Sequence, residues 1–242
     1  MIKRIFLLSI LTLLFTGCEG SGRFGLDSSL MGRLAKTTVT THEKNGQYSI
    51  TVHVASRGLY NLIRGKRIEE YRSEGLVKNG QYFSRHFAIE KWANGKHTLA
   101  EYTFDYAART IVRRFRAWTD GGSLIESATD KMPYFGHNDF LTVMRNAVYG
   151  KPRTSGRRER VVVAGADNSG GWVPVYVSND PRRLRQWDAD PRGTLIQIGV
   201  SKAIFDGGKG SLTVLLDNQN RPDKIIIKEV KIVGTVTGKP IQ

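Results

Sequence analysis

The sequence predicts a mainly β fold: a single curved antiparallel sheet or open β-barrel, carrying one or two short helices. Three observations predict it. Asn-Gly pairs stand at 45–46, 79–80 and 94–95, each between strand-like segments. Both residues tolerate the positive φ of a type I′ turn, so each pair marks a two-residue hairpin. About ten strand-like segments, nearly all joined by short turns, argue for one sheet that curves on itself. At 40% hydrophobic residues over 242 positions, the chain has enough apolar material for one large core.

The first element is an export leader. Met1 to Arg4 is a short positive start, and Ile5 to Phe15 is an apolar run. Its length of about 11 residues suits a signal-peptide core and falls short of the roughly 20 that a spanning helix needs. Phe15-Thr16-Gly17-Cys18 resembles the lipobox of bacterial lipoproteins, with Phe15 where that motif more often has Leu. The resemblance implies diacylglycerol on the Cys18 sulfur, cleavage before Cys18 and acylation of the new amino terminus. Several acyl chains together hold a protein stably on a bilayer. Cys18 is the only cysteine, so no disulfide framework competes for it. Glu19 does not match the Asp of the inner-membrane retention signal, which makes an outer-membrane lipoprotein facing the periplasm the expectation and the inner membrane the alternative. Residues 1–17 are then a lipoprotein signal peptide. The Gly- and Ser-rich 18–33 read as a lipidated tether, and 34–242 as a single β domain.

The hairpin at Asn45-Gly46 sets Lys44 opposite Gln47, His42 opposite Ser49 and Thr38 opposite His53. One face then carries Tyr48, Ile50, Val52 and Val54, and the other Ser49, Thr51, His42 and His53, a half-buried ribbon. At Asn94-Gly95 the alternation puts Phe83, Phe87 and Ile89 on one face with Ala100, Tyr102 and Phe104. Further strands are expected at 66–77, 109–118, 159–165, 172–177, 194–205, 210–217 and 224–236. "LYNLIRG" (59–65) suggests a turn or two of helix. "HNDFLTVMRNAVYG" (137–150) reads as a helix with Asn138 or Asp139 as N-cap and an apolar stripe of Phe140, Val143, Met144, Ala147 and Val148. Such a helix packs on the sheet or plugs one end of it. "KPRTSGRR" (151–158) is the expected flexible loop.

Formal charge is +15, and removing the leader's Lys3 and Arg4 leaves +13. That balance favours anionic surroundings such as lipid head groups or an acidic envelope polymer, and the export leader argues against nucleic acid. The positive charge concentrates at Arg113-Arg114-Phe115-Arg116, Arg157-Arg158-Glu159-Arg160 and Arg182-Arg183-Leu184-Arg185. Arg113, Arg114 and Arg116 interleave with Ile111, Val112, Phe115 and Trp118. Strand alternation puts Arg113 on one face and Arg114 with Arg116 on the other, so each face offers an apolar body beside a cation. These three are the candidate contacts for an anionic amphiphile.

The pieces "YRSEG" (71–75), "FDYAARTIVRR" (104–114), "DFLTVMRNA" (139–147) and "GSLTVLLDNQNRPDKIIIKEVKIVGTVTG" (210–238) occur in an order that resembles the exported bacterial family catalogued as domain of unknown function 3108. Leu215 stands where that family often has an aromatic. The resemblance implies a mainly antiparallel β fold and an envelope location, and it implies no reaction. A more distant analogy is with half-barrel proteins that carry lipoproteins or lipids across the periplasm.

Chemistry-bearing motifs are sparse. His42 and His53 share a hairpin face without being opposite, and no third His or Cys stands at ligand spacing, so no metal and no cofactor are expected. The nucleophile elbow and the phosphate loop are absent from the sequence. Glu69 and Glu70 are adjacent in a strand and point to opposite faces, which rules them out as an acid/base pair. "WDADPRG" (187–193) reads as a loop turn, because Arg185 and Arg192 flank its carboxylates. The expectation is therefore a non-enzymatic, membrane-anchored binding module. A docking protein of an envelope assembly, its protein partner unspecified, and an undetected envelope hydrolase are the alternatives. Cys18→Ser is expected to abolish incorporation of radioactive fatty acid and to leave an uncleaved or soluble chain; unchanged labelling would refute the lipid attachment.

Overall fold

A computed structural model describes residues 20–28, 32–58, 61, 65–149, 156–166, 170–199, 211–219, 221–230 and 234–240. The leader with Cys18, most of the 59–65 helix and the 151–155 part of the expected loop lie outside the described residues. Fifteen strands follow in chain order. They are β1 (Gly20–Ser28), β2 (Gly32–Lys44), β3 (Gln47–Ser56), β4 (Arg67–Lys78), β5 (Gln81–Ala93), β6 (Lys96–Asp105), β7 (Thr110–Thr119) and β8 (Leu124–Lys131). Then come β9 (Asn138–Asp139), helix α1 (Phe140–Tyr149), β10 (Arg158–Ala164), β11 (Trp172–Ser178), the short helix α2 (Pro181–Arg185), β12 (Thr194–Gly199), β13 (Ser211–Leu216), β14 (Pro222–Val230) and β15 (Gly234–Pro240). All fifteen lie in one curved sheet in the order β8-β7-β6-β5-β4-β3-β2-β1-β15-β14-β13-β12-β11-β10-β9. The mainly β fold expected from the sequence is the fold observed.

The three Asn-Gly turns form as their chemistry dictates. Asn45, Asn79 and Asn94 each have φ 52°, and the following glycines have φ of 70°, 73° and 72°. The β2–β3 register matches Lys44 with Gln47 and Thr38 with His53. Tyr48, Ile50, Val52 and Val54 are buried on the concave side. One contiguous core lines that side, from Phe24 and Leu26 on β1 through Tyr71 and Phe87 to Val175, Val214 and Val236.

β5 forks. From His86 onward it pairs with β6, but Arg85 is an extra residue that shifts the β4–β5 register between Glu74 and Gly75. Such a bulge bends the strand and turns the residues before it to the other face. Phe83 therefore does not share the face of Phe87 and Ile89; Tyr82 and Ser84 are buried in its place. Before the bulge the edge of β5 is taken by other groups. The Ser84 N–H donates to the His137 carbonyl at 3.0 Å, which brings the β9 end of the sheet up to β5. Asn146 of α1 accepts from the Tyr82 N–H at 2.8 Å and donates to its carbonyl at 2.9 Å. The sheet thus nearly closes on itself at β5, and β6–β8 run on past the closure as a wing. β8 is solvated along almost its whole length.

α1 lies inside the curl. Phe140, Leu141, Val143 and Met144 belong to the common core, and Thr142 and Arg145 are fully buried beside them. On the outer face, α2 covers a second small core of Tyr176, Leu184, Leu195, Leu215 and Ile226.

Two expectations about elements need correction. The run 224–236 is two antiparallel strands, β14 and β15, with Ile225 opposite Gly238. More consequentially, the stretch expected to be a tether is strand β1. It pairs with β2 on one side and β15 on the other, with Phe24 and Leu26 buried. Its composition hides this: in Gly20–Ser28 only Phe24 and Leu26 are large apolar residues, and the strands that pair with it lie elsewhere in the sequence. Removal of residues 18–30 is expected to leave the facing edges of β2 and β15 without a partner, each keeping only its pairing with β3 or β14, and to abolish cooperative melting followed by far-ultraviolet circular dichroism; an unchanged melt would return the segment to a tether.

Candidate functional site

The arginines of β7 behave as strand alternation requires. Arg113 sits on the concave side, opposite Tyr102, with its guanidinium 5.6 Å from the Phe115 ring centre and 3.6 Å from Asp130. Arg114 and Arg116 are exposed on the outer side. Arg116 donates to Glu101 at 2.8 Å and lies 5.5 Å from the Trp118 ring centre. The three do not converge, and two of them already hold carboxylates.

The other two arginine clusters, more than twenty residues apart in sequence, come together. β10 and β11 pair so that Arg158 faces Tyr176, Arg160 faces Pro174 and Val162 faces Trp172. The alternate residues Val163, Val173 and Val175 are buried in the core, which puts this row on the outer face. Arg160 lies 4.4 Å from the exposed Trp172 ring, and Arg183 of α2 lies 5.2 Å from the Tyr176 ring. α2 is oriented for this by Asp180, which caps it by accepting from the Arg182 N–H at 2.9 Å. Arg158, Arg160 and Arg183 form no ion pair with another described residue. The result is a convex patch of guanidiniums around a half-exposed tryptophan, with no ion-pair partner among the described residues. In the sequence the clusters were visible; their juxtaposition required the β10–β11 register.

The histidines are spread among ordinary partners. His53 approaches Glu70 at 3.6 Å, His86 approaches Glu101 at 3.9 Å, and His137 packs against Phe83, Tyr106 and Phe135. Among the described residues no three His, Cys, Asp or Glu side chains are grouped to hold a metal ion. Glu69 and Glu70 do point to opposite faces: Glu69 is buried with Arg67 and Tyr71, while Glu70 meets His53 and Arg72 outside. In the 187–193 turn, Asp190 accepts from the Arg192 backbone and side chain.

Asp139 is a fully buried carboxyl. It accepts from Ser73 Oγ at 2.5 Å, Ser84 Oγ at 2.7 Å, and the Leu141 and Thr142 N–H groups at 2.6 and 2.9 Å. Ser73 also meets the Tyr48 hydroxyl at 3.0 Å. Burial raises the Asp139 carboxyl above its ordinary 3.8, and the bonds from Ser73 and Ser84 oppose that rise. Burial, then the Asp139 charge, push Tyr48 up as well. Asp139, Ser73, Ser84 and Thr142 have no exposed surface, so this cluster meets no substrate; it caps α1 and ties it to β4 and β5. Farther along α1, the buried Arg145 donates to the Tyr82 hydroxyl at 3.1 Å, which donates to Glu43 at 2.5 Å. Burial pushes Tyr82 up to about 12, so it remains a donor there.

No protein-family model matches the chain, and no curated protein matches it. Among solved structures the chain is similar to a β-barrel-like protein of domain of unknown function DUF1849 from Brucella abortus. The TM-score is 0.54 at 9% identity, over 94% of this chain and 98% of that one. The likeness is one of fold.

Asp139→Ala is expected to destabilise the fold by about 3 kcal/mol, because two hydroxyls and two helix N–H groups lose a buried acceptor. Asp139→Asn separates the charge from the cap. With a raised native value, the contribution of Asp139 is present below the ordinary carboxylate value and is lost as pH rises through the native one. The stability gap between wild type and Asp139→Asn should therefore narrow as pH rises. Urea unfolding across that range measures it; a gap that widens would reverse the assignment.

Proposed function

We propose that the chain is a non-catalytic envelope module, anchored by lipid at Cys18 and facing the periplasm, that contacts an anionic lipid surface through Arg158, Arg160, Arg183 and Trp172. The observation that carries this reading is the convergence of two arginine clusters on one convex, aromatic-centred patch, with no carboxylate partner for Arg158, Arg160 or Arg183 among the described residues. Guanidiniums attract anionic head groups from water, and tryptophan is at home at the level of those head groups. A convex contact also fits the packed interior: the concave side is occupied by α1 and a continuous core, which favours a surface contact over an amphiphile held inside. The β-barrel-like likeness is compatible with a binding role and names no ligand.

The mature chain with Cys18→Ser is expected to sediment with phosphatidylglycerol vesicles at low salt and less so at high salt. Arg158→Gln, Arg160→Gln and Arg183→Gln together should weaken binding by about 1 kcal/mol per arginine near the surface. The corresponding triple change at Arg113, Arg114 and Arg116 should weaken it far less, since Asp130 and Glu101 already neutralise two of them. Binding that depends equally on both triples, or that neither chain shows, would refute the proposal and favour docking on a protein partner.

A further inference from the structure

The outer face of the wing carries a built aromatic wall. Trp92 on β5, His97 on β6 and Trp118 on β7 are register neighbours and stand upright side by side. The ring centres are 4.9 Å apart at both steps, with interplanar angles of 1° and 21°. His97 is pinned in the middle because Glu90 bonds its Nε2 at 2.8 Å and is itself held by Arg72 at 2.6 Å. Trp92 thus has one face closed by His97. On its other side stands Ile68, its partner on β4.

On that side lies a pocket of about 410 Å³ that Trp92 and Ile68 line. Its polar lining includes Lys66, Glu70, Asn94 and Asp120, brought together by the start of β4, the Asn94-Gly95 turn and the end of β7. The Asp120 N–H bonds the Gly95 carbonyl at 3.1 Å, which fixes the two hairpin tips against each other.

We infer that the Trp92 pocket is a binding site for a neutral pyranose unit of an oligosaccharide. The chemistry selects this class step by step. A flat, prepositioned indole face suits the C–H-bearing side of a sugar ring, whose partly positive hydrogens meet the negative π-face. The rim offers two carboxylates and an amide to accept from and donate to hydroxyls, with a lysine as a further donor. Glu70 and Asp120 disfavour an anion, Lys66 disfavours an organic cation, and a charged rim is wasted on an acyl chain. The site is separate from the β10–β11 patch and takes a different ligand.

The test is isothermal titration of the mature chain with Cys18→Ser against three neutral oligosaccharides: chitotetraose, cellotetraose and maltotetraose. Binding of at least one is expected. Trp92→Ala should weaken it at least tenfold, while Trp172→Ala on the other patch leaves it unchanged. Because Trp92→Ala also removes a stacking partner, Glu70→Gln with Asp120→Asn provides a second variant at exposed or half-exposed positions. It should cost about tenfold through lost charge-assisted hydrogen bonds, with an unchanged melt. Failure of all three sugars to bind at millimolar concentration overturns the inference. So does binding that survives both the Trp92 and the carboxylate changes. Vesicle sedimentation reads the other surface, so either proposal can fail without the other.

Discussion

A carboxylate without exposed surface holds α1 inside the curl of the sheet, and much of the molecule follows from it. Asp139 ends the two-residue strand β9, begins the helix and accepts hydroxyls from β4 and β5 in the same few ångströms. A single side chain therefore couples helix capping to closure of the sheet. Were the helix released, the concave side would lose Phe140, Leu141, Val143 and Met144 from its core, and β5 would lose the groups that occupy its edge before the bulge. The desolvation of that charge is opposed, though not cancelled, by four hydrogen bonds from two hydroxyls and two helix N–H groups.

The fork in β5 divides the protein into a packed body and an exposed wing, and the two offer different chemistry. In the body, polar groups are consumed by structure, as Arg145, Tyr82 and Glu43 illustrate. On the wing, both faces of β6–β8 remain partly solvated, and its outer face alternates acids, arginines and aromatic rings in register. Neutralised charge beside flat rings suits uncharged polar ligands. The arginines of β10 and α2, without ion-pair partners among the described residues, suit anions.

Fold class, the β2–β3 register and a cap at Asn138 or Asp139 were legible because each is written in a few neighbouring residues: Asn45-Gly46, the alternation from Tyr48 to Val54, and the polar pair before "FLTVM". What was not legible depends on distant partners. The bulge at Arg85 carries no composition of its own, so the face of Phe83 could not be read. β1 reads as a linker because its strand character resides in β2 and β15. The arginine patch needed the pairing of β10 with β11, and the Trp92 pocket needed three hairpin ends to meet. His97, which no sequence pattern singles out, is the spacer that sets two tryptophans nearly parallel.

β1 begins at Gly20, which has a consequence for any lipid on Cys18. Only Glu19 would then separate the acyl chains from the first paired residue, a reach of about 7 Å at the extension of a stretched chain. On so short a leash the domain would not sample orientations freely, and the bilayer would be presented to one side of it at a high effective concentration. A weak surface contact would suffice to fix its pose. With Cys18 acylated, the same shortness would keep the domain from reaching across to an opposing layer, and whatever it met would have to come to the same membrane.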